Sequence, residues 1–526
     1  MKPSVSKNAA QAAETQIRLI AAQCVVTLLA LCCLMLAHPV VDQDVWHEIA
    51  LAREYFQHGS LPIHDIFAYT PTVDFIQHEW GAGVIALLFL EWFGGSGLVV
   101  LKYLLGAILG LFLFLRIRQD RPSLAILPPL VLLGMNMLQP GFGTVRAQIY
   151  SMCAVAILLW MLSLDRRGSN HRMLSGRNWM LPWSAVFVIW LNVHGGFVLA
   201  FGILGAEFLE RVFASREGWM VEVRRNWQLP ALGVVMIALI AVNPYGLRYY
   251  SYMVEALTIQ RPDIIEWQPI WVVASRFPAS VASLGIAAVV AAYAVLARGW
   301  RNSPGVGILL LLLAASIRTN RITMFFGVAF LAIVPGLLEG TPLANWANRT
   351  LYRFRGAAVP VTALVAILLL AVVWLRPPFQ HMVPGRMFPA YPGHVIYPVG
   401  AVEYLRQQQF RGNLMVPFTA GAYVSWKLYP EVKVSVDSRY EVAYPPRQVE
   451  QFIRVYRNGR EANTVLAAYP HAAVLVFHLS PLRQALDAKP EWRKVYDDQV
   501  FRIYAKTDVS LAPELEAPLV EFGQIP

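Results

Sequence analysis

Eleven apolar runs dominate this chain as far as residue 376, at about 17–37, 96–116, 122–138, 148–164, 178–193, 196–213, 228–243, 279–297, 304–317, 321–338 and 356–376. A bilayer offers the backbone no hydrogen-bond partner, so a run of roughly 17–25 apolar residues crosses it as a helix. The shorter runs draw on flanking residues to complete a span. A twelfth, 80–93, is shorter still and carries Glu91; it reads as a tucked or re-entrant helix. The first run is too long for a secretory apolar core and has no small-residue cleavage site, so it reads as an uncleaved helix. Composition agrees: 57% of the chain is hydrophobic and 15% charged, against about 25% charged in soluble proteins.

The net charge of +11 does not point to nucleic acid, because the Lys and Arg lie in short clusters between the apolar runs, where they set orientation. With the N-terminus inside and 80–93 not crossing, eighteen Lys and Arg fall in the inside loops and seven in the outside loops. That places the N-terminus in the cytoplasm and the last stretch outside. All four cysteines, Cys24, Cys32, Cys33 and Cys153, lie in apolar runs, which leaves no disulfide for the water-exposed parts and no metal-ligand spacing.

After residue 376 the texture changes. A Pro-, Gly- and Tyr-rich linker, 377–398, leads into short alternating segments. Helical periodicity fits Gly400–Gln409 and Pro446–Asn458, and strand-like runs cover Asn413–Pro417, Lys433–Val436, Ala473–Phe477 and Val500–Tyr504. The expected fold is therefore an α-helical polytopic membrane domain over 1–376 with a first outer loop at 38–79. A small α/β soluble domain over 399–508 and a disordered tail over 509–526 follow.

Polar side chains collect at the outer ends of the helices, and ionisable groups at membrane depth are costly enough to suggest function. The first outer loop carries Asp42, Asp44, His47, Glu48, His64, Asp65, His78 and Glu79; later outer turns carry Arg146, His194, Glu266, Arg318 and Arg321. Asp42 and Asp44 form a D-x-D. Two carboxylates this close allow a raised pKa and general-base work, or a divalent cation. The competing reading is a solvated loop in which Asp44 caps the amphipathic run Val45–Phe56. Arg146, Arg318 and Arg321 suit a phosphate through the guanidinium fork, or lipid headgroups. His47, His78, Glu79, His194 and Glu266 are candidate substrate contacts. For His194 the alternative is a tight helical hairpin, since NVHGGF carries two glycines.

These segments resemble a known group. D-x-D-W-H after the first helix, then HDIFAYT and HEW, with the later VRAQ, LNVHGGF, VNPYG, IEW, SIRTNR and VDSRYEVAY, are similar to bacterial GT-C-like membrane glycosyltransferases over most of the chain. The resemblance implies a polyprenyl-phosphate-linked sugar as donor, transfer on the outer face of the inner membrane, and an essential acidic residue in the first outer loop, matching Asp42 or Asp44. It does not imply a metal. Here the sequence is D-Q-D-V-W-H where the familiar transferases have a D-E pair, which leaves the choice between the two aspartates open. Two other functions compete: a non-catalytic assembly subunit of an envelope pathway, and a lipid or solute transporter, which would more often show mid-helix charges and repeat symmetry.

Overall fold

The computed structural model describes residues 4–36, 41–94, 97–167, 178–258, 264–375 and 397–518. The expected linker 377–398 lies almost wholly outside these residues, as do the loop basic residues Arg172, Arg177 and Arg261. The chain is a mostly α-helical polytopic membrane protein with a small sheet-containing domain towards its C-terminus. Every apolar run is a helix. Six described helices are long and apolar enough to cross a membrane, and Met180–Val193, Gln228–Leu239 and Val306–Arg318 are shorter apolar helices. The structure divides into two compact units. One comprises Met1–His38, Lys102–Gly143 and Gln148–His381; the other comprises Pro39–Leu101, Thr144–Ala147 and Met382–Pro526.

The first unit is a helical bundle. Its centre is the helix Thr323–Leu338, in which every residue but Gly336 is buried. Helices Leu127–Phe142, Gln148–Arg166, Pro278–Arg298 and Val306–Arg318 pack around it. Glycines let two of these come close: a Cβ at Gly134 would overlap the Leu331 side chain, and one at Gly141 would crowd Met152 and Met324. At one end of the bundle Arg166 bonds Glu207 and Glu210, and Arg211 bonds Asp165 and Glu207. Glu210 also accepts from the Gly305 and Gly307 amides, 2.8 Å each, where the helix Val306–Arg318 begins. A carboxylate there complements the positive end of the helix dipole.

The second unit joins separate stretches of the chain. In it the C-terminal α/β segment clusters with the first outer loop and with Thr144–Ala147. Its sheet has five strands: β1 (Gly412–Met415), β2 (Val432–Val434), β3 (Ala473–Phe477), β4 (Trp492–Asp497) and β5 (Phe501–Lys506), ordered β2-β1-β3-β5-β4. β1 is parallel to β2 and β3, while β5 is antiparallel to β3 and β4. The outer loop covers the β2 edge. Tyr69 donates its amide to the Val434 carbonyl, and the Val434 amide donates to Phe67. An edge strand whose donors are taken no longer templates stray pairing. The expected disordered tail is ordered in part, since Glu514 bridges to Tyr496 and exchanges backbone hydrogen bonds with Val495 and Asp497.

Two helices, one in the outer loop and one just after it, pack together in this unit. Gln43–His58 buries Trp46, which stacks on Trp426 at 4.8 Å and meets Tyr397 and Tyr423 edge-on. Trp80–Phe93, the segment expected to be tucked, lies along it. The approach is so close that a Cβ on Gly83 would overlap the Glu48 carbonyl oxygen.

Candidate active site

The D-x-D is split in role by the start of the helix Gln43–His58. Asp42, not Asp44, is its N-cap: Asp42 has extended backbone (φ −70°, ψ 147°) and its Oδ1 accepts the Asp44 amide at 3.2 Å. The expectation that Asp44 caps the helix is thus corrected by two residues, because the helix begins at Gln43 and needs its acceptor one place earlier. Asp44 sits in the first turn with its carboxyl released from capping.

A backbone bridge delivers Arg146. Val41 pairs with Val145, and the Asp42 amide donates to the Val145 carbonyl at 3.0 Å. This holds the nearly buried Arg146 guanidinium 3.6 Å from the Asp42 carboxylate. One turn along from Asp44, Glu48 is buried and hydrogen-bonds Glu79, the residue that precedes the helix Trp80–Phe93. His78 Nε2 lies 3.6 Å from the Glu79 carboxylate.

Four carboxyls crowd the Arg146 guanidinium here. Burial raises the Asp44 carboxyl well above the ordinary range, and the charges of Asp42 and Glu79 add to this while Arg146 opposes it. Burial likewise raises Glu48, with the charge of Glu79 next in importance. His47 is buried, and that burial lowers its imidazole to about 4, so the ring is neutral at physiological pH. Its Nδ1 lies 3.2 Å from Ser438 Oγ.

Of the expected site residues, the second unit thus brings together Asp42, Asp44, His47, His78, Glu79 and Arg146. His194, Glu266, Arg318 and Arg321 belong to the helical bundle, at its end remote from the Arg166–Glu207–Glu210 network. There His194 Nδ1 accepts from the Ser151 hydroxyl (2.5 Å) and the Gly196 amide (2.9 Å), while Trp190 Nε1 donates to Ser151 at 2.6 Å. A Cβ on Gly196 would overlap Ser151 Oγ, so Nδ1 and the first residues of the GGF turn do structural work. Arg321 lies over the Trp267 ring at 5.1 Å, and the Asn320 amide donates to the Gln268 carbonyl. These contacts join the SIRTNR turn to the short helix that holds Glu266. Arg318 is exposed at the end of its helix.

Ser438 and Arg439 escaped the sequence reading, and Glu48 and Asp65, visible in the acidic outer loop, were given no role there. Arg439 is buried between Asp65 (2.5 Å) and Asp437 (2.6 Å). The segments HDIFAYT and VDSRYEVAY hold that signal, an acid and an Asp–Arg pair each set among aromatics. Among the described residues no group of three or more His, Cys, Asp and Glu side chains is arranged to hold a metal ion.

No family model matches the sequence, and no curated protein matches it. Solved structures do. ArnT from Cupriavidus metallidurans in the apo state aligns over 96% of this chain and 100% of its own, with TM-score 0.53 at 14% identity. The same enzyme bound to undecaprenyl phosphate aligns over 95% and 99%, with TM-score 0.50 at 13% identity. The apo oligosaccharyltransferase of Archaeoglobus fulgidus aligns over 94% of this chain and 75% of its own, with TM-score 0.52 at 12% identity. The likeness is one of fold, and the fold is GT-C.

Proposed function

We propose that this protein is a membrane glycosyltransferase that moves a sugar from a polyprenyl-phosphate donor to an acceptor hydroxyl on the outer face of the inner membrane. The observation that carries the reading is Asp44, a carboxyl freed from capping in the first turn of the helix that Asp42, the partner of Arg146, caps. A base is most effective when its pKa approaches the working pH, and a guanidinium stabilises a departing phosphate. The ArnT structure with undecaprenyl phosphate supports the donor class.

The chemistry is one inverting displacement. The acceptor oxygen attacks the anomeric carbon and gives its proton to Asp44. The carbon–oxygen bond to phosphate breaks, and the polyprenyl phosphate leaves with the electron pair beside Arg146. Arg318 and Arg321 are further candidates for phosphate, each to be judged by its own variant. The charge bias of the loops supports an N-terminus in the cytoplasm and an extracytoplasmic C-terminal segment.

The test uses the full-length protein in vesicles with polyprenyl-phosphate-linked sugars, reading release of polyprenyl phosphate. Asp44→Asn should lower turnover by roughly a hundredfold or more, the scale of a lost general base, without lowering the melting temperature. Equal turnover by Asp42→Asn, Asp44→Asn and the native protein would overturn the mechanism.

A further inference from the structure

We propose that the helix Pro342–Arg353 lies along the membrane surface and holds the headgroup of an anionic phospholipid between the Arg349 and Arg353 guanidinia. The inference uses neither the chemistry of Asp44 nor the sidedness of the chain.

The helix's place in the chain sets its depth. Only Glu339, Gly340 and Thr341 separate it from the preceding span, Asn320–Leu338, and only Phe354 from the next, Arg355–Val372. A helix of 12 residues is roughly 18 Å long. Tethered this closely at both ends to segments that enter the bilayer, it cannot stand out into water. Thr341 caps it by accepting the Ala344 amide at 3.4 Å, and Pro342 takes the first turn, where no amide is needed.

Its two long sides differ. On the protein side Ala344 is fully buried, the Leu343 amide donates to Tyr293 Oη at 3.2 Å, and Asn348 accepts from the Ser123 hydroxyl. The outer side carries Trp346, Arg349 and Arg353 in one stripe, since steps of three and four residues return to the same face. Trp346 is 59% exposed and both arginines are exposed. Arg349 Nε donates to the Asn345 carbonyl at 3.3 Å, and Arg353 lies 5.4 Å from the Phe354 ring. The acids at this end of the bundle are already engaged: Asp120 pairs with Arg116 and Arg167, and Glu339 accepts the Ser123 amide at 2.7 Å.

The charge and the tryptophan name the occupant. Neighbouring ends add to the same field, for Arg298 donates to the Gly336 carbonyl at 2.5 Å with its side chain still exposed, and Arg118 and Arg121 flank Asp120. A second copy of the chain, meeting this surface symmetrically, would set like charge against like. A lipid phosphate supplies the opposite charge and matches the guanidinium fork. Trp346 beside it prefers the headgroup level, and a basic helix lying in the interface favours anionic over neutral lipid.

The test titrates the full-length protein in neutral detergent with short-chain phosphatidylglycerol or phosphatidylcholine, and native mass spectrometry counts the lipids retained. Native protein should prefer phosphatidylglycerol. Arg349→Gln combined with Arg353→Gln should weaken its apparent affinity for phosphatidylglycerol by roughly thirtyfold, the joint worth of two basic residues at an anionic surface. Affinity for phosphatidylcholine should not change. Without lipid this double variant should melt with the native protein, and phosphatidylglycerol should raise the melting temperature of the native protein alone. Arg118→Gln combined with Arg121→Gln, at the same end of the bundle, should bind as the native protein does. Undiminished affinity in the first variant, an equal fall in the second, or no preference in the native protein would overturn the proposal. Dimers in the native spectrum that the first variant abolishes would overturn it too, because the surface would then belong to a second copy.

Discussion

Asp42 and Asp44 are two residues apart and do different work, which makes their variants opposite in sign. Asp44 has its carboxyl pKa raised, so the folded state holds that proton more tightly than the unfolded chain. The stability this brings is complete below the ordinary carboxylate range and is lost as pH rises through the folded value. At pH 7.5 an ionised, half-buried Asp44 is a cost, and Asp44→Asn should raise the melting temperature by a few degrees, with the gain vanishing near pH 4. Asp42→Ala should lower it, by roughly 1 kcal/mol for the lost cap alone, and more because Arg146 loses its carboxylate. His47 runs the other way on the pH axis. Its folded value of about 4 lies below the ordinary 6.5, so its contribution is lost as pH falls from about 6.5 to 4, and His47→Gln should flatten the melting curve's pH dependence in that window. Differential scanning of purified protein across pH checks all three.

Helices and strands differ in how much of themselves the chain declares. The run at 80–93 was visible as an apolar segment, and Pro446–Asn458 and Ala473–Phe477 have the boundaries their periodicity suggested, because alternation between apolar and polar is written locally. β4, Trp492–Asp497, was missed: Arg493, Lys494 and Asp497 make it read as a loop, although an outermost strand leaves all three half-buried. The position of Trp80–Phe93 against Gln43–His58 was equally hidden, since it depends on a residue with no side chain. Gly83→Ala tests it. The overlap is with a backbone carbonyl, which no rotamer relieves, so the overpacking cost of about 1–3 kcal/mol outweighs the helix propensity gained, about 1 kcal/mol. The expected result is a lower melting temperature together with weaker turnover, as Glu79 shifts from Glu48.

At the scale of the whole molecule, the polytopic fold was legible because lipid permits so few structures, and the composite second unit was not. His47 meets Ser438 across 391 residues and Thr70 meets Ser435 across 365; pairings so remote leave no local pattern. Of the site, the carboxylates showed in the sequence as a dense acidic loop, while Ser438 looked like any serine. The orientation of the whole is checked by reporters active only outside the cytoplasm. A fusion after Tyr504 should be active, one near Ser169 silent, and one near Arg118 silent as long as 80–93 does not cross. The reverse pattern would invert every proposed placement.

The lock between Asp65 and Arg439 also has a clock in it. The ribosome finishes the outer loop first and reaches Ser438 only 391 residues after His47, roughly 20–80 s later at ordinary synthesis rates. For that interval the loop lacks the strand it covers, the cation that neutralises Asp65 and the stacking surface for Trp46. A nascent chain halted before residue 397 should therefore be cut by protease between Gly59 and Asp74, and the completed chain should resist. The protein's acid groups are among the first parts made and among the last to be enclosed.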